Sequence, residues 1–269
     1  MKLIWRIFSL YLLGLLAFTY TSLAYACSDY IHYQEGNVPI LLTSPHGAGK
    51  TQLLPGVPAR QGGDFKRFVN RADQYTDKLT WSIAESLKQN GFRPFVVVAG
   101  VHRSQIDFNR PPEQAYETVQ AEHCYRYYHQ RLRQAIDKIQ HSWQHGFMLD
   151  VHGQSKYDYE ILRGTRNKET IDQLIQRFGI DVSEEKNGFF TVLREKKYDI
   201  HPKPNKRERY YYGGFTLRQY GSHLSNGIDA MQVEIGRAIR KNKERREKMA
   251  VDIAEAITRF YQTYYVLSP

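Results

Sequence analysis

The sequence predicts an α/β fold, a largely parallel sheet with helices packed on both faces. Short apolar runs alternate along the chain with longer segments of helical spacing, the pattern that builds such a sheet. No break in composition divides the chain, and its length suits one large domain with a proper core. His46, His102, His152 and Glu234 all fall near the ends of expected strands, and open sheets of this kind bind ligands beyond their carboxyl edges.

The elements follow in order. Val38 to Thr43 reads as a strand running into Ser44-Pro45-His46-Gly47, and Gly49 to Asn70 is turn-rich and irregular. Asp73 to Gln89 has helical spacing, with Leu79, Ile83 and Leu87 on one face and Gly91 closing it. Phe95 to Ala99 is a buried strand by its β-branched run. Pro112 to Trp143 is a long helical region that opens on proline, as a first turn allows. Phe147 to Val151 is the next strand, ending at His152. Lys168 to Phe178 reads as a helix, Gly188 to Leu193 and Met231 to Ile235 as strands, and Ala238 to Tyr264 as a terminal helix.

The first residues predict export. Lys2 and Arg6 form a basic region ahead of the apolar run Ile7 to Phe18, and Ala24-Tyr25-Ala26 is an A-x-A cleavage signal. A spanning helix needs about 20 predominantly apolar residues, and Thr19, Thr21 and Ser22 interrupt this one. The expected product runs from Cys27 to Pro269, periplasmic or secreted, with no stable membrane insertion. An uncleaved anchor and a lipoprotein lipidated at Cys27 are the alternatives, and Ala24 and Tyr25 disfavour the second.

Cys27 and Cys124 are the only cysteines, so disulfides do not build the scaffold. A bridge between them is open, although a cysteine at a mature N-terminus is more often mobile. Two thiols so far apart also lack the paired spacing of a metal site. The formal charge of +10, two lower without Lys2 and Arg6, suits anionic partners such as cell-wall polymers, lipid headgroups or carboxylated peptides. The basic run from Lys203 to Arg209 carries no zinc-finger or RNA-recognition signature, so nucleic acid is not expected.

Two familiar chemistries fail on spacing. Gly49-Lys50-Thr51 closes a phosphate loop, but the glycine that should stand five positions before Gly49 is Ser44. No Gly-x-Ser-x-Gly frame surrounds any serine; Ser155 and Ser222 lie near glycines without it. What remains is imidazole and carboxylate. His46-Gly47 and His152-Gly153 place an imidazole on a turn at two strand ends, where glycine lets a ligand approach. One such histidine is more often structural; two in this setting favour zinc. Asp150 shares a strand face with His152 and is placed to orient it or to lie beside the site.

A catalytic zinc keeps a position open for water and needs a third protein ligand. His-x-x-Glu spacing fails, because Gly49 stands third after His46. Asp73 and Asp77, four apart at the start of the expected helix, are the candidates, and one of them serves the helix terminus instead. The polar segment His102 to Pro112 offers Arg103 and Arg110 as anchors for a substrate carboxylate, and an Arg103–Asp107 pair could equally pin the loop. Glu234, inside an apolar strand, reads either as a proton carrier with a raised pKa or as a buried partner of Arg237 or Arg240.

Ser44-Pro45-His46-Gly47, Asp73 to Leu79, Arg103 to Arg110, Asp150-Val151-His152-Gly153, Gly213-Gly214-Phe215-Thr216 and Gln232-Val233-Glu234 occur in an order that resembles the N-formylglutamate amidohydrolase family, across Thr43 to Arg240. The resemblance implies a zinc-exopeptidase-like α/β/α sandwich around a mixed sheet and an amide-bond hydrolase. It implies zinc held by His46, Asp73 and His152, Glu234 as catalytic base, and a substrate-carboxylate clamp of Arg110 with Asn109. Arg103 and Arg237 are expected beside them as further substrate-binding residues. The chain departs from the family in its signal segment and in its basic insert around Lys203 to Arg209. Both bear on the substrate, a small carboxylated amide or peptide or a cell-wall fragment. A non-catalytic binding protein for anionic peptides on the same scaffold, and a lipid-anchored surface protein, are the other readings.

Overall fold

The computed structural model describes residues 27–62 and 68–266 of the chain. The expected signal segment and its cleavage site lie outside the described residues. Seven strands form one mixed sheet: β1 (Ile31–Gln34), β2 (Ile40–Ser44), β3 (Phe95–Ala99), β4 (Phe147–Gly153), β5 (Ile161–Gly164), β6 (Ile200–His201) and β7 (Asp229–Ile235), in the order β1-β3-β2-β4-β7-β5-β6. The central β3, β2, β4 and β7 run parallel. β1 lies antiparallel on β3, and β5 antiparallel on β7. Every residue of β2, β3 and β7 is buried, as expected of strands covered on both faces.

Period-two alternation sorts the side chains into two layers. On one face Ile40, Leu42, Val96, Leu149 and Val233 pack against α1 (Thr76–Gln89) through Leu79, Ile83 and Leu87, and against α8 (Lys243–Tyr261) through Met249, Ile253 and Phe260. On the other, Leu41, Val97, Met148 and Ala230 pack against α3 (Val119–Trp143) through Tyr128, Leu132 and Ile136. Each apolar side chain so enclosed contributes roughly 1.5–3 kcal/mol of transfer free energy. Thr118 caps α3 by accepting from the Ala121 amide at 3.2 Å, satisfying one of the free first-turn donors.

Several expected elements are corrected. Gly188 to Leu193 is not a strand. Phe189, Phe190, Val192 and Leu193 are buried on one side of helix α5 (Phe189–Glu195), and an apolar run that short fits either period. The long helix from Pro112 divides into α2 (Pro112–Ala115) and α3, because Tyr116 is extended and Thr118 starts a new cap. The terminal helix likewise divides at Asn242 into α7 (Arg237–Lys241) and α8. Lys168 to Phe178 begins as a 3-10 turn, Glu169–Ile171, before α4 (Asp172–Phe178). The helix expected from Asp73 starts only at Thr76.

Cys27 is not a mobile end. It is buried and bonded to Cys124, a residue of α3 separated from it by 97 positions. Among the described residues no helix is long and apolar enough to cross a membrane.

Candidate metal centre

The carboxyl ends of β2, β4 and β7 open on the α3 face of the sheet, and the candidate residues gather there. In β4, Asp150 and His152 share this face; in β7, Gln232 and Glu234 do, directly opposite them in the ladder. His46 follows β2 within two residues. Gly47 is required behind it, because a Cβ there would stand 2.2 Å from the Asp77 amide nitrogen at the start of α1. The Asp73 amide donates to the His46 carbonyl at 2.9 Å, tying the turn before α1 to the turn after β2.

His46, Asp73 and His152 bring one ligand atom each to within 4.8 Å of one another. The imidazoles are braced from behind. His46 Nε2 lies 2.7 Å from Asp107 Oδ1, and His152 Nε2 lies 2.9 Å from Asp150 Oδ2. An ionised carboxylate only accepts, so each Nε2 carries a proton and each ring turns its Nδ1 inward. Both Nδ1 atoms face the same oxygen, Asp73 Oδ2, at 3.5 Å for His46 and 3.2 Å for His152. His46 Nδ1 is buried without a hydrogen-bond partner. Two ring nitrogens and an anionic oxygen converging in a buried space need a cation or a proton between them. Zinc at about 2.0–2.1 Å from each ligand would place tetrahedral ligands about 3.3 Å apart, close to the two separations found. The residues fit a metal of that kind.

The electrostatics favour positive charge at this point. Burial opposes charge on His152, but Asp150 and Asp73 outweigh it and raise its pKa well above the usual imidazole value. Burial likewise opposes ionisation of Asp73, and the two imidazoles outweigh it, holding its carboxyl well below the usual range. Asp107 is held low against burial by Arg103, His46 and Arg60. Glu234 behaves differently. Burial is the main cause that pushes it up to about 7, opposed by the charges of His152 and Arg103. Gln232 donates to its Oε1 at 2.9 Å.

The two candidate aspartates part company. Asp73 sits in the turn before α1, so it does not share a helical face with Asp77. Asp77 lies in the first turn of α1, where a carboxylate complements the helix dipole, and it is outside the ligand cluster. Arg103 donates to Asp107 Oδ2 at 2.9 Å and stands 3.7 Å from Asp73 Oδ1, so it ties both carboxylates in place. Asn109 Oδ1 accepts from the Thr216 amide at 2.8 Å at the start of α6 (Phe215–Tyr220). Arg110 lines the cleft with a third of its side chain exposed. Arg237 pairs at the rim with Asp158 at 3.3 Å. Arg240 spends its guanidinium on the carbonyls of Ile235, Gln74 and Gln154. Neither arginine is the ion-pair partner of Glu234.

Asp107 behind His46 was visible in the sequence only as a loop pin for Arg103. Arg60, which donates to the Arg103 carbonyl at 2.8 Å and to that of Val69 at 2.8 Å, gave no signal in its irregular segment. The cleft above these groups has a volume of about 1390 Å³.

No family model and no curated protein matches the sequence. Solved structures share its architecture. The crystal structure of N-formylglutamate amidohydrolase from Ralstonia eutropha superposes with a TM-score of 0.61 at 16% identity, covering 87% of this chain and 98% of that one. This chain has the fold of that amidohydrolase. A gene product from Agrobacterium tumefaciens is similar to it as well, with a TM-score of 0.57 at 14% identity over 87% of this chain and 95% of that one.

Proposed function

We propose that this chain is an exported, zinc-dependent hydrolase that cleaves an amide bond in an N-acyl amino acid or peptide held by a carboxylate. The convergence of His46 Nδ1, His152 Nδ1 and Asp73 Oδ2, each imidazole backed by its own carboxylate, carries the reading. The shared fold with N-formylglutamate amidohydrolase supports it.

His46, Asp73 and His152 would hold the ion. When bound, zinc supplies a Lewis acid that polarises a carbonyl and acidifies water. Glu234, with its pKa drawn up to about 7, is suited to take a proton from the attacking water and return it to the leaving nitrogen. Arg110, open to the cleft, receives the substrate carboxylate through its planar donors and fixes the amide over the histidines. Arg103 keeps Asp73 and Asp107 in place, Asn109 fixes the loop beside His152, and Arg237 stands at the entrance. Export is supported by the Cys27–Cys124 bridge, since disulfides persist in oxidising compartments.

The test is zinc content together with amine release from N-acyl glutamates, γ-glutamyl peptides and peptidoglycan fragments. Near-stoichiometric zinc is expected, with turnover lost to a chelator and restored by zinc. A metal-free protein that binds these compounds without turning them over would be the binding protein instead.

A further inference from the structure

A substrate with one carboxylate needs one clamp, yet the cleft holds far more positive charge than that. Asp73 and Glu234 are the carboxylates lining it, and both belong to the candidate centre. Lys50, Arg71, Lys156, Arg209, Arg218 and Lys241 also line it, and none makes an ion pair with a carboxylate among the described residues. Unneutralised cations on a concave surface focus a positive potential into the cleft.

Beside them stand three consecutive tyrosines, Tyr210, Tyr211 and Tyr212, exposed by 66%, 42% and 41%. Exposed aromatic side chains in a row, on a wall of the cleft, offer flat contact surface at little entropic cost. They do not dangle. Glu208, buried next to them, accepts from the Thr165 amide and hydroxyl, each at 2.8 Å, and from the Asn167 amide at 2.9 Å. The Tyr212 carbonyl accepts from the Arg166 amide at 2.6 Å. Gly164 lets the segment lie against β5, since a Cβ there would meet the Tyr211 carbonyl oxygen at 2.6 Å. Tyr211 itself has a φ of 54°, a left-handed conformation that a tyrosine adopts only when its surroundings impose it. The ammonium of Lys156 lies 4.0 Å from the centre of the Tyr210 ring. The wall is therefore built before any ligand arrives. It faces the centre as well, because Tyr211 lines the same cleft as Asp73 and Glu234.

We propose that Tyr210, Tyr211 and Tyr212, with Lys156, Arg209 and Arg218, form a second subsite for a further carboxylate-bearing residue of an extended acidic peptide. The inference rests on the hydrolase reading and names its substrate class. The peptide backbone and side-chain methylenes lie along the tyrosines, and the added carboxylate meets the unpaired cations.

The experiment measures affinity for N-acetyl peptides of one, two and four glutamates, and for the same series built of glutamine. Binding is read calorimetrically on Glu234→Gln protein loaded with zinc, and turnover on the wild type. From one to four glutamates the Kd is expected to tighten at least about tenfold, with no such gain for glutamine peptides and a gain that shrinks as salt is added. Arg209→Ala combined with Lys156→Ala should lose most of the gain, while Arg209→Lys retains it. Tyr211→Ala should weaken the longer peptides more than the single residue. Melting temperatures guard against loss of fold, and a double variant that melts early is replaced by Arg218→Ala judged on the same ratio. An affinity flat with length, or a gain that survives in every one of these variants, overturns the subsite. Turnover of single-residue substrates without a length effect overturns the subsite and leaves the hydrolase reading standing. Length-dependent binding without turnover of any peptide does the reverse.

Discussion

His152 and Glu234 stand opposite each other in the parallel ladder between β4 and β7, on the same face of the sheet. Two residues earlier the same ladder pairs Asp150 with Gln232, so the residue that braces His152 and the residue that donates to Glu234 also lie side by side. A slip of one residue would turn one member of each pair into the opposite core. The register of two strands thus fixes a candidate ligand and a candidate base next to each other.

Zinc should depend on the three residues whose ligand atoms converge. His46→Ala, His152→Ala and Asp73→Asn are each expected to purify with little metal by elemental analysis. Asp77→Asn should keep its zinc, because Asp77 lies outside the cluster. Zinc retained in both histidine variants, or lost in Asp77→Asn but kept in Asp73→Asn, would redraw the centre.

Asp107 should act through His46. Asp107→Asn leaves the ligands in place but removes the anion that fixes the ring and matches Arg103. Chelator competition is expected to show zinc affinity weakened roughly 10–100-fold, the usual effect of losing such a carboxylate. An unchanged affinity would mean that Asp107 serves only the loop.

Glu234 should carry the proton. Glu234→Gln is expected to keep its zinc, its melting temperature and its substrate affinity while kcat falls by at least about 10². Because burial holds the carboxyl at about 7, the ionised base becomes more abundant as pH rises through neutrality, so kcat/KM should fall on the acid side. A cation bound between the histidines shifts that limb to lower pH. An active glutamine variant, or one inactive only because it unfolds, argues for a structural carboxylate.

Arg110 should act on binding. Arg110→Ala is expected to keep metal and fold and to raise KM, and an amide or ester that blocks the substrate carboxylate should have the same effect on the unaltered protein. If free and blocked substrates respond alike to the substitution, the arginine holds nothing but its loop.

Acid should find a weak point outside the candidate ligand cluster. His129 is enclosed by the rings of Tyr125, Tyr128, Phe215 and Tyr220, with Nδ1 2.9 Å from the Tyr220 hydroxyl. Burial lowers its pKa to about 4 in the folded chain, against about 6.5 when unfolded. Above pH 6.5 both states hold it neutral. Between 6.5 and 4 only the unfolded state takes the proton, so stability should fall across that window, by up to about 3 kcal/mol, and level off below it. Urea midpoints measured from pH 7 to 4 should decline less in His129→Gln than in the wild type; parallel declines would assign the acid sensitivity elsewhere.

The sequence by itself determined the central strands and the histidines at their ends. Val38 to Thr43, Phe95 to Ala99, Phe147 to Val151 and Met231 to Ile235 are apolar runs whose burial on both faces leaves them little choice, and His46 and His152 follow from where two of them stop. Local pattern is weaker where an element is short. The edge strands β1 and β6 and the antiparallel β5 carry few residues each, and the apolar residues of α5 fit a strand as well as a helical turn. Spacing alone left Asp73 and Asp77 both open, and the resemblance favoured Asp73; only the tertiary structure brought Asp73 into the cluster, stood Asp107 behind His46, and joined Cys27 to Cys124. Each is a contact between segments tens of residues apart, set by strand order and by how α1 and α3 pack on the sheet. The cleft is of the same kind: Arg209 was legible only as the end of a basic run, and it and the three tyrosines become a wall because Glu208 and Gly164 seat them beside β5.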